Sequence, residues 1–177
     1  MKLSQLAAEA FEYAQELTGD CEILSLSADS REQTQQGLFF CIRGEHVDSH
    51  RYAEQAVKNG AAALMVSEFL PHINVPQLKV SDDRAAMALI TRAFYDFPDL
   101  RMKLIGITGT KGKTTTSYLV KAILERAGYV CGLIGTTGNM IRDQWMKSNL
   151  TTPDPLDLHR TLRQMAEAGC QYVVMEV

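Results

Sequence analysis

The sequence predicts an α/β protein in two parts: a small N-terminal α/β unit, then the first half of a parallel-sheet unit. Three observations carry this. Short apolar runs alternate with helical patterns along the chain, the order that builds parallel strands with helical crossovers. The stretch Phe97-Pro98-Asp99-Leu100-Arg101 breaks that alternation and sets a boundary between residues 1–100 and 101–177. Just after it, an apolar run, a glycine-rich turn and an amphipathic helix follow one another without a gap.

In the first unit, Leu3, Leu6, Ala7, Ala10, Phe11, Ala14 and Leu17 recur at helical spacing and predict an amphipathic helix over 3–17. Glu9, Glu12 and Glu16 interrupt it, so it does not read as a secretory signal. Leu38 to Ile42 reads as a short strand. Arg51 to Asn59 reads as a helix stopped by Gly60. Ala61 to Val66 is a buried strand, far too short to span a bilayer. Leu78 to Val80 is another strand, and Ser81 is read as the cap of a helix reaching Tyr95.

The second unit opens with a strand over Met102 to Ile107. A helix from Lys113 to Ala127 follows the glycine turn, with Gly128 as its stop. Tyr129 to Ile134 is a strand, and a polar loop runs on to Pro155. A helix from Leu156 to Ala168 and a strand from Tyr172 to Val177 complete the series. Parallel sheets bury both faces. Three strands and two helices are a thin version of that architecture, so the second unit is expected to be incomplete.

A net charge of −3 gives no basic excess for nucleic acid, so anions must be held by local features. Cys21, Cys41, Cys131 and Cys170 lie far apart beside apolar runs. They read as buried, reduced thiols, not as a metal or disulfide framework. A cytoplasmic, monomeric protein without membrane association is expected.

Gly106 to Thr116 is the chemically richest stretch. Gly106, Gly109 and Gly112 let the backbone turn close to an anion. The helix that follows presents free N–H groups and a positive dipole end. Lys113 adds a mobile cation for β/γ phosphates, and Thr114 a hydroxyl suited to Mg²⁺. The residues Gly109, Thr110, Lys111, Gly112, Lys113, Thr114 and Thr115 therefore form a candidate ATP-phosphate loop. The spacing departs from the usual G-x-x-x-x-G-K-[ST]: the first glycine should be residue 107, which is Ile107, and Gly106 stands one place early.

That displaced glycine resembles the ATP loop of the Mur ligases and folylpolyglutamate synthetases. Further stretches narrow the resemblance to the UDP-N-acetylmuramoyl-tripeptide synthetases of the Mur ligase family. They are Asp29-Ser30-Arg31, Gln36 to Phe40, Arg43 to His50, Ala53 to Val66, Gly132 to Gly138, Leu150 to Pro155, and Met175-Glu176-Val177. Together they cover nearly the whole chain.

The resemblance implies a UDP-binding domain over 1–100 and the start of a central ATPase domain over 101–177. It implies an ATP- and Mg²⁺-dependent ligase that adds an amino acid, diaminopimelate or lysine, to UDP-N-acetylmuramoyl-L-alanyl-D-glutamate through an acyl phosphate. Residue by residue, Ser30 and His46 match positions at the UDP moiety. Thr151 and Thr152 match a threonine pair at the muramoyl-peptide substrate. Lys113 matches the catalytic lysine, and Thr114 and Glu176 match the Mg²⁺ residues. Lys111 stands where the family often has asparagine.

Without the resemblance, Ser30 is an ordinary turn serine, His46 a solvated loop histidine, and the threonine pair a helix cap. The serine pair, histidine, modified lysine and amino-acid-binding domain that the family uses further on are not in these 177 residues. The chain alone is therefore expected not to catalyse ligation. A P-loop kinase or GTPase, or a non-catalytic nucleotide-binding module, are the rival classes. No guanine-reading Asn-Lys-x-Asp is present.

Overall fold

The computed structural model describes residues 1–44, 47–146 and 154–177. The chain forms two compact units, Met1–Phe94 and Tyr95–Val177.

The first unit holds a five-stranded sheet, ordered β1-β5-β4-β3-β2. Its strands are β1 (Ala14–Leu17), β2 (Ser25–Ser27), β3 (Gly37–Phe40), β4 (Ala61–Val66) and β5 (Gln77–Val80). Strands β2 to β5 run parallel, and β1 joins the β5 edge antiparallel. The helices are α1 (Leu3–Glu9), α2 (Ala53–Lys58) and α3 (Asp83–Phe94). A single 3-10 turn, Ser49–Tyr52, leads into α2. Phe39, Cys41, Leu64 and Val66 pack with Ala53 and Ala56 of the α2 side. Period-two alternation sends Leu38 and Phe40 to the opposite face, and both are buried.

Three sequence expectations change here. The helix over 3–17 ends at Glu9, and Ala14–Leu17 is a strand instead. Ladder bonds to β5, continued by Thr18 N–H to the Gln77 carbonyl at 3.1 Å, outweigh a weak local helical preference. The strand β2 carries no apolar run long enough to announce it. The cap of α3 is Asp82, whose Oδ1 accepts from Ala85 N–H at 2.9 Å, while Ser81 Oγ donates to the Tyr13 carbonyl.

The second unit is a sheet ordered β6-β10-β7-β8-β9. Its strands are β6 (Lys103–Ile107), β7 (Cys131–Gly135), β8 (Gly138–Ile141), β9 (Gln144–Met146) and β10 (Tyr172–Glu176). Its helices are α4 (Lys113–Arg126) and α5 (Pro155–Glu167). The three expected strands are parallel, with β10, last in sequence, lying between β6 and β7. Part of the expected polar loop is instead an antiparallel hairpin, β8–β9, that extends the sheet beyond β7.

Both faces of β10 are covered. Val173 packs with Met102, Ile134, Leu162 and Met165 on the α5 side. Val174 packs with Leu133, Met140, Tyr118 and Leu124 on the α4 side. Asp154 caps α5 by accepting from Asp157 N–H at 2.8 Å, with Pro155 at the first helical position. The helix thus has its cap without the threonine pair.

All four cysteines are free. Cys41, Cys131 and Cys170 are buried and Cys21 is half-buried. Burial pushes the Cys41 thiol up to about 12 and the Cys170 thiol to about 11, so neither is a ready nucleophile. No helix among the described residues is long and apolar enough to cross a membrane.

Leu133 is fully buried in the α4-side core, whereas Leu119 on α4 is 59% exposed. Leu133→Ala is expected to destabilise the protein by about 2–5 kcal/mol in urea unfolding. Leu119→Ala should stay within about 0.5 kcal/mol of wild type. Equal effects would contradict the packing described.

Candidate active site

The carboxyl edge of the parallel strands in the second unit gathers the chemistry. Such edges are where ligands bind in open α/β sheets. Gly106 is not part of the turn. It lies within β6, opposite Met175 of β10. The turn begins after Ile107, and its working glycines are Gly109 (φ +151°) and Gly112 (φ +80°). Both conformations are ones that side chains rarely tolerate, which is why glycine stands there. The displaced first glycine of the motif is therefore a strand residue.

Gly112 is the N-cap of α4, so the first-turn amides of Lys113, Thr114 and Thr115 open toward the turn. Lys113 folds back over it, with Nζ donating to the Gly109 carbonyl at 2.9 Å. That carbonyl is a neutral acceptor, which a phosphate oxygen would outcompete. Thr110, Lys111 and Thr115 are exposed, with Thr110 and Lys111 in the turn itself. The helix dipole, the free amides and the Lys113 charge together make an anion site.

Glu176 is the last residue of β10 and reaches both neighbouring elements. Thr114 Oγ1 donates to its Oε2 at 3.1 Å. From the turn after β7, Thr136 Oγ1 donates to Oε2 at 3.0 Å, and Thr136 N–H to Oε1 at 3.3 Å. The donor set is all oxygen, hydroxyl and carboxylate, which suits a hard cation such as Mg²⁺. The structure thus brings Lys113, Thr114 and Glu176 together around one edge. It adds Thr136, which residue-by-residue reading passed over; its only signal was its place in the Gly132 to Gly138 stretch.

In the first unit, Ser30 lines an open cleft of about 740 Å³ with Asp29, Arg31, Phe39, Tyr52 and Gln55. The turn that carries Ser30 is tied down by Asn59, whose Nδ2 donates to the Ser30 carbonyl at 2.8 Å and whose own carbonyl accepts from Thr34 N–H. The sequence marks Asn59 as a helix end and as part of the Ala53 to Val66 stretch, and gives no sign of this tie. Arg31 forms a two-pronged pair with Asp29, at 2.9 Å and 2.6 Å.

His46 lies outside the described residues, as do Thr151 and Thr152. The neighbouring histidine, His50, is a strut. Its Nδ1 bonds Asp48 Oδ1 at 2.6 Å, and its Nε2 accepts from the Ser67 backbone N–H at 3.0 Å. Ser67 Oγ is also 3.2 Å from Nε2, but the backbone donor already occupies that lone pair. The Asp-His-Ser row is therefore not set up for nucleophilic catalysis.

With this geometry in place, comparison with known proteins identifies the class. Residues 22–95 match the Mur ligase family, catalytic domain, and residues 107–177 match the Mur ligase middle domain. The chain belongs to the Mur ligase family. It is 44% identical, over all 177 residues, to the UDP-N-acetylmuramoyl-L-alanyl-D-glutamate--2,6-diaminopimelate ligase of Geobacillus thermodenitrificans, of which it spans 36%. It is 45% identical over 159 residues to a ligase of the same name from Clostridium acetobutylicum, covering 88% of this chain and 33% of that protein.

Among solved structures, a UDP-N-acetylmuramoyl-L-alanyl-D-glutamate--2,6-diaminopimelate ligase superposes with TM-score 0.76 at 28% identity. The match covers 88% of this chain and 32% of that one. MurF from Acinetobacter baumannii gives 0.64 at 25% identity, covering 98% and 35%. The chain thus spans about a third of the length of these relatives.

Hydrogen bonding from Arg31 holds the Asp29 carboxyl down at about 2, well below its ordinary 3.8. A depressed carboxyl stabilises the fold at pH above its unfolded value, and that contribution is lost as pH falls through about 2. In a carbon-detected NMR titration, Arg31→Ala should raise the Asp29 midpoint toward 3.8. An unmoved midpoint would sink the Arg31 assignment.

Proposed function

We propose that residues 1–177 supply two binding units of an ATP-dependent, amide-bond-forming ligase of peptidoglycan precursor synthesis. Residues 1–100 would bind the UDP-muramoyl substrate and residues 101–177 would bind ATP. The substrates are UDP-N-acetylmuramoyl-L-alanyl-D-glutamate and diaminopimelate. The names carried by the two relatives described above favour diaminopimelate over L-lysine. The observation that carries the reading is the meeting of the Lys113 turn, Thr114 and Glu176 at one sheet edge.

The chemistry is carboxylate activation. The D-glutamate side-chain carboxylate attacks the γ-phosphorus of ATP, forming an acyl phosphate and releasing ADP. The amine of diaminopimelate then attacks the acyl carbon, loses a proton, and expels inorganic phosphate as the amide forms. Phosphoryl transfer needs positioning and charge neutralisation more than covalent help. Lys113 and the first-turn amides of α4 would hold the β/γ phosphates in line. Thr114 and Glu176 would hold Mg²⁺, which neutralises phosphate charge when bound. Ser30 offers a hydroxyl at the cleft for a uracil edge or diphosphate oxygen. His46, Thr151 and Thr152 complete the proposed contacts to the UDP-muramoyl peptide.

Calorimetry on the 177-residue chain separates this reading from its rivals. Lys113→Ala should weaken binding of a non-hydrolysed ATP analogue by roughly 1.5–3 kcal/mol, the loss of a charged hydrogen-bonding partner. Ser30→Ala should weaken the UDP-muramoyl dipeptide by about 1 kcal/mol and leave the ATP analogue unaffected. Nucleotide binding with no affinity for the UDP-muramoyl dipeptide would favour a P-loop kinase instead.

A further inference from the structure

The geometry points to Thr136 as a positioning residue that fixes the Glu176 carboxylate for cation binding. This rests on the proposed reading of Thr114 and Glu176 as the Mg²⁺ residues.

A glutamate side chain has three rotatable bonds, and an unrestrained carboxylate gives up entropy each time it is ordered around a cation. Here it is ordered in advance. Thr136 reaches both carboxylate oxygens, with its backbone N–H on Oε1 and its hydroxyl on Oε2. Two donors from one residue fix the plane of the carboxylate as well as its position.

Two further features show that the approach is built in. The residue before Thr136 is Gly135, in β7, where a Cβ would run into the Glu176 carboxylate itself. Only glycine lets β10's carboxylate lie against β7. The turn is also braced from its other side: Thr137 Oγ1 is 2.9 Å from the Tyr118 hydroxyl on α4. Tyr118 sits one helical turn beyond Thr114, so the helix that carries the proposed cation hydroxyl also steadies the turn that orients the carboxylate.

The two hydroxyls on Oε2 have different parts. Thr114 would turn a lone pair toward the cation while its O–H still donates to Oε2. Thr136 has no such second task. It serves only to keep the carboxylate in place.

The test measures ADP affinity of the purified chain, once with MgCl₂ and once with EDTA, by calorimetry. The ratio is the metal-dependent gain. Thr136→Val should cut that gain roughly tenfold or more, the loss of one hydrogen bond to a charged group, and leave affinity in EDTA unchanged. Thr136→Ser, which keeps the hydroxyl, should restore the gain. MnCl₂ titration followed by electron paramagnetic resonance should show the same order of variants. A gain that survives Thr136→Val but is lost in Glu176→Gln overturns the role of Thr136 and leaves the metal reading standing. A wild-type chain that binds ADP equally with and without Mg²⁺ overturns the metal reading, and this inference with it. A fall in EDTA affinity equal to the fall with Mg²⁺ also overturns it, because the effect would then be on the nucleotide or the fold.

Discussion

The second unit is organised around one carboxylate. Glu176 ends the central strand of a parallel set, and its two oxygens accept from the helix after β6 and from the turn after β7. This is possible only because β10 lies between β6 and β7, in register so that Glu176 stands beside Ile107. Three segments far apart in sequence thereby end at one edge. The valines of β10 bury on opposite faces and hold that strand between α4 and α5. Packing fixes the strand, the strand fixes the carboxylate, and the carboxylate brings the start of α4 and the β7 turn to one place.

The first unit uses the same economy with different chemistry. Its cleft is formed by turns that leave the sheet, and those turns are held by polar struts, not by apolar burial. Asn59 ties the Ser30 turn to the end of α2, and His50 ties the segment after Asp48 to the end of β4. Loops carry a family's binding groups because a rigid sheet positions them while their side chains stay accessible. The family match spans both units.

Much of the architecture was legible before any coordinates. The strand, glycine turn and helix at residues 102–127 follow from local signals that need no partner: an apolar run, residues that permit positive φ, and amphipathic spacing. The helix expected over 3–17 misled because its apolar spacing also serves a strand edge, and pairing with β5 is not a local property. The β8–β9 hairpin was hidden in a polar stretch, because its pairing rests on β7 and not on its own composition. The cap of α3 moved by one residue, from Ser81 to Asp82, a choice between two good capping side chains that only geometry makes.

By itself, then, the sequence determined the glycine turn, its lysine and its helix, because those depend on residues adjacent in the chain. It also marked Glu176 by resemblance, but not what surrounds it. The tertiary structure decided that β10 enters the sheet between β6 and β7. It decided too that Thr136, forty residues from Glu176, orients that carboxylate. Those facts depend on strand order and register, which are set by burying both faces of a parallel sheet at once, and no local pattern encodes them.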